Sequence, residues 1–326
     1  MNILVIGGTL FIGRHLVNAL RTMGHDVTVL HGNPETPLPP GVDGLIGDRN
    51  DAFSVQKALA NRHFDAVFDN VYDWKRGTTA EQVEATARAC AHPGLRRYVF
   101  MSSVAAYSLG LDLPENASLV PAESQDVYAR NKAESERSLF RLHKTENFPA
   151  VTLRPPFIYG PDNPYYREAF FWDRIRDGRP VIVPGDGNRL MHLVYVHDLV
   201  WCCLRILEVD QAVGQAFNVA DVEAVTQEYL VLALGKAAGR EPRAVFVPRE
   251  EAIAAGGHPM GPKLYFAMYY DLPSITEKID KARDVLGFAP TPLEEGLRRT
   301  YEWWLRNNLF PAPDYTFEDE LLRGRL

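Results

Sequence analysis

The stretch ILVIGGTLFIG, residues 3–13, runs four apolar residues directly into a glycine-rich turn. A short, fully apolar run such as Ile3–Ile6 is typical of a strand buried in a parallel sheet. From Phe11 to Met23 the apolar side chains recur at helical spacing. Gly7 permits a sharp turn out of the strand, and Gly13 lets the helix pack closely against it. These residues therefore predict a strand, a tight turn and a helix.

A turn of this kind at the first strand–helix junction predicts a phosphate-binding site. The free N–H groups at the start of a helix and the positive end of its dipole favour an anion such as a pyrophosphate. A glycine pattern alone is weak evidence, but its position between a strand and a helix makes a dinucleotide site the better interpretation. The candidate contacts are Gly7, Thr9, Leu10, Phe11, Ile12 and Gly13.

The first half of the chain continues to alternate strand and helix signals. Such alternation implies right-handed crossovers and an α/β fold with a doubly wound parallel sheet. The predicted strands are Ile3–Ile6, Val27–Leu30, Leu45–Ile46, Ala66–Phe68, Tyr98–Met101 and Val151–Leu153, and the predicted helices after Met23 are Thr79–Ala91 and Val127–Lys144.

Beyond Leu153 the pattern changes, and a chain of 326 residues is long enough for two lobes. We expect a dinucleotide-binding domain of residues 1–155 plus about 190–220, and a substrate-binding lobe of residues 156–189 plus 221–326. The stretch from Arg154 to Gly187 is rich in Pro, Gly and aromatic residues and predicts a loop region. The tail from Pro311 is polar, and we expect it to be loosely attached. In the second half, strands are predicted at Leu193–Val196 and Ala216–Val219, and helices at Asp198–Glu208, Thr226–Ala238, Ile275–Leu286 and Leu293–Asn307.

Composition and charge narrow the class of protein. The formal net charge is −7 and no run of Lys and Arg is present, so nucleic acid is an unlikely partner. The three cysteines, Cys90, Cys202 and Cys203, have neither disulfide nor zinc spacing and are predicted to be core residues. No metal site is therefore expected. No apolar run approaches the roughly 20 residues of a membrane span, and we expect a cytoplasmic protein.

Further motifs coincide with one family. They lie at residues 47–50, 101–107, 128–132, 154–161, 194–199, 280–288 and 292–297. With them, from Asn2 to about Asn307, the chain resembles the extended short-chain dehydrogenases/reductases, the group of UDP-galactose 4-epimerase and the nucleotide-sugar dehydratases. The motif Gly-Gly-Thr-Leu-Phe-Ile-Gly is similar to the one in the subgroup of the chloroplast stem-loop RNA-binding proteins and their bacterial relatives. In the wider family the position of Leu10 is Gly, so the approach of the backbone to the pyrophosphate is expected to differ.

This resemblance implies a Rossmann-type fold with a smaller C-terminal substrate lobe, and it implies a catalytic set of Ser103, Tyr128 and Lys132. Residues four apart share a helix face, so Tyr128 and Lys132 point the same way. A free tyrosine has a pKa near ~10 and cannot act as a base at neutral pH, but a nearby ammonium favours the phenolate. The tyrosine would then take a proton from a substrate hydroxyl, which the serine orients.

The resemblance also implies the cofactor contacts and leaves the cofactor open between NAD and NADP. Asp48 would contact the adenine. No acid follows Leu30 to hold the adenosine ribose, and Arg14 could meet a 2′-phosphate. The remaining implied contacts are Arg49, Asn70, Ser102, Tyr128, Lys132, Pro155 and Phe157.

The substrate is less well specified by the residues. Phe157 stands where many sugar-nucleotide enzymes of the family have Asn, and Met191-His192 where an Arg is frequent. Arg167 and Arg189 remain as candidate anion partners. No Asp-Glu pair follows Ser103, which favours an epimerase or reductase acting on a sugar or sugar nucleotide over a dehydratase.

Two alternatives stay open on the same fold: an RNA-binding or RNA-processing protein, and a dinucleotide-sensing regulator. The resemblance further implies a homodimer through the helices at Thr79–Ala91 and Val127–Lys144.

Overall fold

The computed structural model describes residues 1–260, 265–307 and 310–325. In chain order the strands are β1 Asn2–Ile6, β2 Asp26–His31, β3 Asp43–Ile46, β4 Ala66–Asp69, β5 Arg97–Met101, β6 Gly110–Leu113, β7 Ala150–Arg154, β8 Phe157–Tyr159, β9 Pro180–Pro184, β10 Leu190–Met191, β11 Leu193–Tyr195, β12 Ala216–Asn218, β13 Val225–Thr226, β14 Arg243–Val247 and β15 Ile275–Glu277. The α-helices are α1 Phe11–Thr22, α2 Ala52–Leu59, α3 Ala80–Cys90, α4 Val127–Glu146, α5 Arg167–Arg176, α6 Val196–Glu208, α7 Gln227–Ala238, α8 Arg249–Ala254, α9 Phe266–Tyr269, α10 Leu293–Asn307 and α11 Thr316–Leu321.

A seven-stranded parallel sheet forms the centre of the first half. Its strand order is β12-β7-β5-β4-β1-β2-β3, and every neighbouring pair in it is parallel. Strands β4, β5 and β7 are buried along their whole length, as expected for strands covered by helices on both faces. The doubly wound fold class predicted from the sequence is confirmed. The order reverses between β1 and β4, and ligands bind such sheets at the carboxyl ends of the strands beside the reversal.

The chain divides into two compact units. Unit 1 comprises Met1–Pro156, Val196–Ala220 and Glu277–Pro290, and contains the large sheet. Unit 2 comprises Phe157–Tyr195, Asp221–Thr276 and Thr291–Leu326. The first segment of unit 1 ends at Pro156, one residue after the boundary expected from the sequence. Residues 277–290 were expected in the second lobe but group with the large sheet.

Unit 2 is more regular than the sequence indicated. The stretch expected to be loops contains helix α5 and strand β9, which pairs in parallel with β14. Trp172 of α5 is 1 % exposed and donates its indole N–H to the Leu234 carbonyl of α7 at 3.1 Å. A large buried aromatic with a satisfied N–H ties these two helices together. Aromatic residues in this stretch therefore build a core here.

Two further expectations about the second half are wrong. The tail beyond Pro311 is not loose, because Glu318 of α11 is buried and pairs with the buried Arg174 of α5. The expected helix Ile275–Leu286 is instead a short strand, β15, followed by a helical segment at Ala282–Leu286. Cys90, Cys202 and Cys203 are unpaired and buried, in keeping with their prediction as core residues. Among the described residues, no helix is both long and apolar enough to cross a membrane.

Candidate active site

The glycine-rich turn at the end of β1 leaves no room for side chains at two positions. Gly7 has a φ of +83°, and a Cβ there would lie 2.4 Å from Val71 Cγ2. A Cβ on Gly13 would lie 1.9 Å from the carbonyl oxygen of Gly7. The first turn of α1 thus packs directly on the backbone that leaves the strand, as the sequence predicted. Phe11 at the helix start has a φ of +37°, an unfavourable value for a side chain of this size.

The start of α1 presents free donors and no competing carboxylate. Its first turn contains no acidic residue, and Leu10 before it offers no side-chain cap. The first N–H groups of a helix have no partner within the helix, so they are available to an anion. Leu10 has an extended backbone, and its side chain is 61 % exposed. The side chain of Leu10 therefore points to solvent. It does not occupy the space inside the turn, although the wider family has glycine at this position.

Unsatisfied polar groups lie at the carboxyl ends of the strands that flank β1. Within the described part of the chain, the side-chain amide of Asn70, after β4, has buried atoms with no hydrogen-bond partner. The same holds for Nδ1 of His31, the last residue of β2. Buried polar atoms without partners are uncommon, and a ligand is one explanation for them. The unsatisfied atoms of Asn70 and His31, together with the tight turn at Gly7–Gly13, fit a dinucleotide. His31 directly follows Leu30, the position at which many dinucleotide-binding proteins have an acid that binds the ribose.

Asp48 and Arg49 follow β3 but serve different purposes. Asp48 is 42 % exposed and accepts two hydrogen bonds of 2.8 Å from Arg76, and these bonds hold the pKa of its carboxyl below the usual value. Arg49 is 6 % exposed and forms a two-point ion pair with Asp69, with further bonds to Gln82 O and Thr86 Oγ1. The guanidinium of Arg49 is therefore committed to the interior and is not available to a cofactor, contrary to the expectation from the sequence.

Helix α4 carries the tyrosine–lysine pair into the edge of the sheet. Asp126 caps the helix by accepting from Ala129 N, which places Tyr128 in the first turn. Lys132, one turn later, is 4 % exposed and donates from Nζ to the Met101 carbonyl of β5 at 2.6 Å. Its Nζ lies 5.8 Å from the centroid of the Tyr128 ring. The structure thus places the ammonium beside the phenol ring at the end of β5.

Burial dominates the electrostatics of Lys132. It lowers the pKa of the ammonium to about 8, and the charge of Asp69 opposes that change. At neutral pH the group remains mostly protonated, so it keeps the positive charge that a phenolate needs nearby.

Ser102 and Ser103 both follow β5, but only the hydroxyl of Ser102 donates to a buried side chain. Ser102 is buried and donates to Glu136 of α4, which also holds Arg154 in a buried two-point pair. Ser103 Oγ accepts from Ala105 N at 3.2 Å, and no acceptor for its O–H lies among the residues that the structure describes. Ser102 thus helps to fix α4 on the sheet, whereas the O–H of Ser103 is not committed to an acceptor within the part of the chain that the structure describes. The carbonyl of Pro155, after β7, accepts from Val104 N beside them.

Two aromatic side chains that the sequence did not single out pack on Tyr128. Trp74 stacks on its ring, with centroids 4.8 Å apart and planes at 25°. Tyr72 meets the same ring edge-on at 4.7 Å, and Lys132 Nζ lies 5.4 Å from the Tyr72 centroid. Both come from the segment after β4, more than fifty positions before Tyr128. Only the position of that segment after a parallel strand signalled that it would reach the site.

Unit 2 has an aromatic cluster around Phe157. Tyr269 and Tyr270 each pack on Phe157 with centroids 5.3 Å apart. Arg167 lies 4.9 Å from the ring centroid of Tyr165 and 5.0 Å from that of Tyr269, and within the described ranges it has no carboxylate partner. Arg189, the other candidate anion partner, donates to the carbonyl of Asp271 and lies 3.7 Å from its carboxylate. Arg167 is therefore the better candidate of the two.

His192 and Met191 are structural. His192 is 2 % exposed, and its Nε2 bonds the Asp221 carbonyl at 2.9 Å. Met191 is equally buried, in strand β10. Neither side chain is placed to replace the arginine frequent at this position in the family.

Comparison with known proteins agrees with the fold. Residues 3–220 match the model of the NAD dependent epimerase/dehydratase family. A chloroplast stem-loop binding protein of 41 kDa, form b, from Arabidopsis thaliana is 30% identical over 99% of this chain and 85% of its own length. The dTDP-4-dehydro-6-deoxy-D-allose reductase of Streptomyces bikiniensis is 25% identical over 93% of this chain and 95% of its own length.

Among solved structures, the UDP-glucose 4-epimerase of Thermotoga maritima, determined with UDP-glucose, is similar with a TM-score of 0.77. It is 23% identical, and the match covers 94% of this chain and all of that one. The chain belongs to the NAD-dependent epimerase/dehydratase family, which confirms the resemblance read from its motifs and makes it an enzyme of oxidoreductase or isomerase type.

Proposed function

Because the chain is a member of this family, we propose that it binds NAD⁺ at the carboxyl edge of the large sheet and acts as an epimerase or reductase on a sugar or sugar nucleotide. One observation carries the proposal: a buried ammonium, Lys132, lies beside the ring of Tyr128 at the end of β5. Ser103, with an O–H still able to donate, follows that strand.

The residues proposed to hold the dinucleotide lie along one sheet edge in unit 1. The pyrophosphate would meet the N–H groups at the start of α1, in the turn that includes Thr9, Leu10 and Ile12. Asn70 and His31 would supply their unsatisfied polar atoms to the nucleosides, and Asp48 would face the adenine. When bound, NAD⁺ would supply the hydride-transfer chemistry at the substrate carbon.

The protein side chains would manage the proton of the substrate hydroxyl. Ser103 would donate a hydrogen bond to the substrate oxygen and so orient it. Tyr128 would take the hydroxyl proton on its phenol oxygen, and Lys132 would stabilise the phenolate before that transfer.

A sugar nucleotide is the proposed substrate class because the reductase relative names one and unit 2 contains a cation suited to a phosphate. The guanidinium carbon of Arg167 lies within 5.0 Å of two tyrosine ring centroids, and its Nε is buried with no hydrogen-bond partner among the described residues. A guanidinium binds phosphate oxygens at two points, so this side chain could receive the diphosphate without the family's asparagine at Phe157. The cytoplasmic location and the homodimer remain predictions.

The test is a comparison of wild type with Tyr128→Phe, using UDP-glucose, UDP-glucuronate and dTDP-sugars with NAD⁺. Epimerisation has no net change in NADH, so sugar products are followed by NMR and NADH by absorbance. We expect Tyr128→Phe to lower turnover about 10²–10⁴-fold, while calorimetry shows NAD⁺ affinity within about twofold of wild type.

Tyr229→Phe is the matched control, because this tyrosine is 44 % exposed on helix α7 and should not affect turnover. Full activity in Tyr128→Phe would sink the proposed role. Tight NAD⁺ binding with no turnover of any sugar nucleotide would favour a dinucleotide-sensing regulator instead.

A further inference from the structure

The turn after β4 has a fixed conformation that presents Trp74. Asp73 Oδ1 accepts from the N–H groups of Lys75 and Arg76 at 2.9 and 3.0 Å, and the Asp73 carbonyl accepts from Gly77 N at 2.7 Å. Gly77 has a φ of +76°, a value that favours glycine. Trp74 therefore stands on a closed turn of defined geometry, not on an unstructured loop.

Arg76 joins this turn to Asp48, which follows the end of β3. Its Nε donates to Asp73 Oδ2 at 2.7 Å, and its two terminal nitrogens donate to the two oxygens of Asp48 at 2.8 Å each. An exposed ion pair alone contributes little, but a two-point guanidinium–carboxylate pair fixes orientation. The turn is thus joined to Asp48 at one side and to Tyr128, through Trp74, at the other.

The exposure of Trp74 argues against a purely structural role. Its side chain is 58 % exposed, and its ring contacts are with Tyr72 at 5.0 Å and Tyr128 at 4.8 Å. A tryptophan that supports a core is buried, as Trp172 and Trp304 are. Here most of the ring is in water, and the face that is covered rests on the side chain proposed to move the proton.

We propose that Trp74 is a positioning residue for Tyr128, held in place by the pairing of Arg76 with Asp48. The indole restricts the phenol ring to one orientation, so that its oxygen meets the substrate hydroxyl while its ring stays beside the Lys132 ammonium. This inference rests on the proposed function of Tyr128, but it concerns the geometry of the free protein and can be tested there.

The first measurement needs no substrate. Nitration of Tyr128 by tetranitromethane is followed by mass spectrometry of its peptide in wild type, Trp74→Ala and Trp74→Phe. Removing the stacked ring should speed nitration about two- to tenfold, and phenylalanine should restore the wild-type rate. Trp201→Phe is the matched control, because Trp201 is 37 % exposed and packs on Phe288 in the same unit.

The second measurement separates positioning from packing. With the sugar nucleotide turned over by wild type, Trp74→Ala should lower kcat about 10–100-fold, leave KM within about threefold, and be rescued by Trp74→Phe. Its melting temperature should stay within a few degrees of wild type, because little of the ring is buried. Arg76→Gln should show the same changes more weakly, with Lys75→Gln as its control.

Equal nitration rates in wild type and Trp74→Ala would overturn the inference, and so would an unchanged kcat in that variant. The two proposals fail separately. If Tyr128→Phe is fully active, the proposed function fails, whereas the nitration rates still decide whether Trp74 holds the ring. If Tyr128→Phe is inactive and Trp74→Ala is normal, only the inference fails.

Discussion

Lys132 is placed where a charge is costly. Its Nζ lies 4.9 Å from the Phe100 centroid and 5.4 Å from that of Tyr72, and burial lowers the pKa of the ammonium to about 8 from 10.5. Because the folded pKa is below the unfolded one, the unfolded chain binds more protons between these values. The free energy of unfolding therefore rises with pH from about 8 to 10.5. Below pH 8, the buried charge of Lys132 makes the protein less stable than it would be with an uncharged side chain at this position.

We predict that Lys132→Met stabilises the protein near pH 7 while abolishing turnover. A pKa difference of this size corresponds to about 3 kcal/mol, and losing the bond to the Met101 carbonyl offsets about 1 kcal/mol of it. Urea unfolding should thus show a gain of about 2 kcal/mol at pH 7, and this gain should shrink as the pH rises from about 8 to 10.5. Lys144→Met, at an exposed position near the end of α4, should show neither change. A destabilised Lys132→Met at pH 7 would contradict the argument.

At the residue scale, the sequence predicted the pair but not its surroundings. Tyr128 and Lys132 are four residues apart on a helix, so their shared face follows from helical geometry. The approach of Trp74 depends on a turn fixed by Arg76 and Asp48, and no local pattern in the sequence reports such a contact. Arg49 was expected at the cofactor, but Asp69, on a strand 20 positions later, draws its guanidinium into the interior.

At the scale of the element, a substitution of Gly13 in the first strand–turn–helix would have two opposing effects on the stability of the protein. Replacing glycine by alanine in a helix usually stabilises it by about 1 kcal/mol. Here the added methyl would lie 1.9 Å from the Gly7 carbonyl oxygen, a backbone atom that no rotamer change can move. Overpacking of this kind typically costs ~1–3 kcal/mol or more, so the clash should win.

We therefore predict that Gly13→Ala lowers stability and weakens NAD⁺ binding at least about tenfold, since α1 must shift away from β1. Urea unfolding and calorimetry with NAD⁺ measure the two effects. Asn18→Ala, at an exposed position in the same helix, gains helix propensity without a clash and is the control. A Gly13→Ala variant as stable as wild type would show that the close packing is not required.

Elements with a strong local pattern were predicted well, and those decided by distant partners were not. The buried strands of the large sheet are continuous apolar runs, so β1, β2 and β5 were found within about one residue of each end. Helix α11 was not predicted because its polar sequence has no apolar stripe. A buried ion pair between Glu318 and Arg174 attaches it to unit 2. An ion pair 144 positions apart leaves no periodic signal in the sequence.

At the scale of the whole molecule, the distribution of charge bears on the stem-loop binding named for the Arabidopsis relative. The chain has 35 Lys and Arg against 42 Asp and Glu. Many of its exposed arginines are also paired: Arg88 with Glu84 and Glu146, Arg141 with Glu84, and Arg298 with Glu295 and Glu302. A guanidinium already held by a carboxylate has fewer free N–H donors and less uncompensated charge to offer a phosphate.

We predict that structured RNA binds this protein no more tightly than about 10⁻⁵ M at physiological salt, because neutralising backbone phosphates supplies most of the non-specific affinity and acidic residues outnumber basic ones in this chain. A gel shift with a stem-loop RNA across a salt series measures this, with and without saturating NAD⁺. Binding in the nanomolar range that NAD⁺ displaces would contradict the prediction and would place RNA at the carboxyl edge of the sheet. Binding that NAD⁺ leaves unchanged would instead locate a second, basic surface outside that edge. The Tyr128→Phe variant separates the two functions, because turnover would need the phenol oxygen of Tyr128 whereas RNA affinity would come from Lys and Arg side chains.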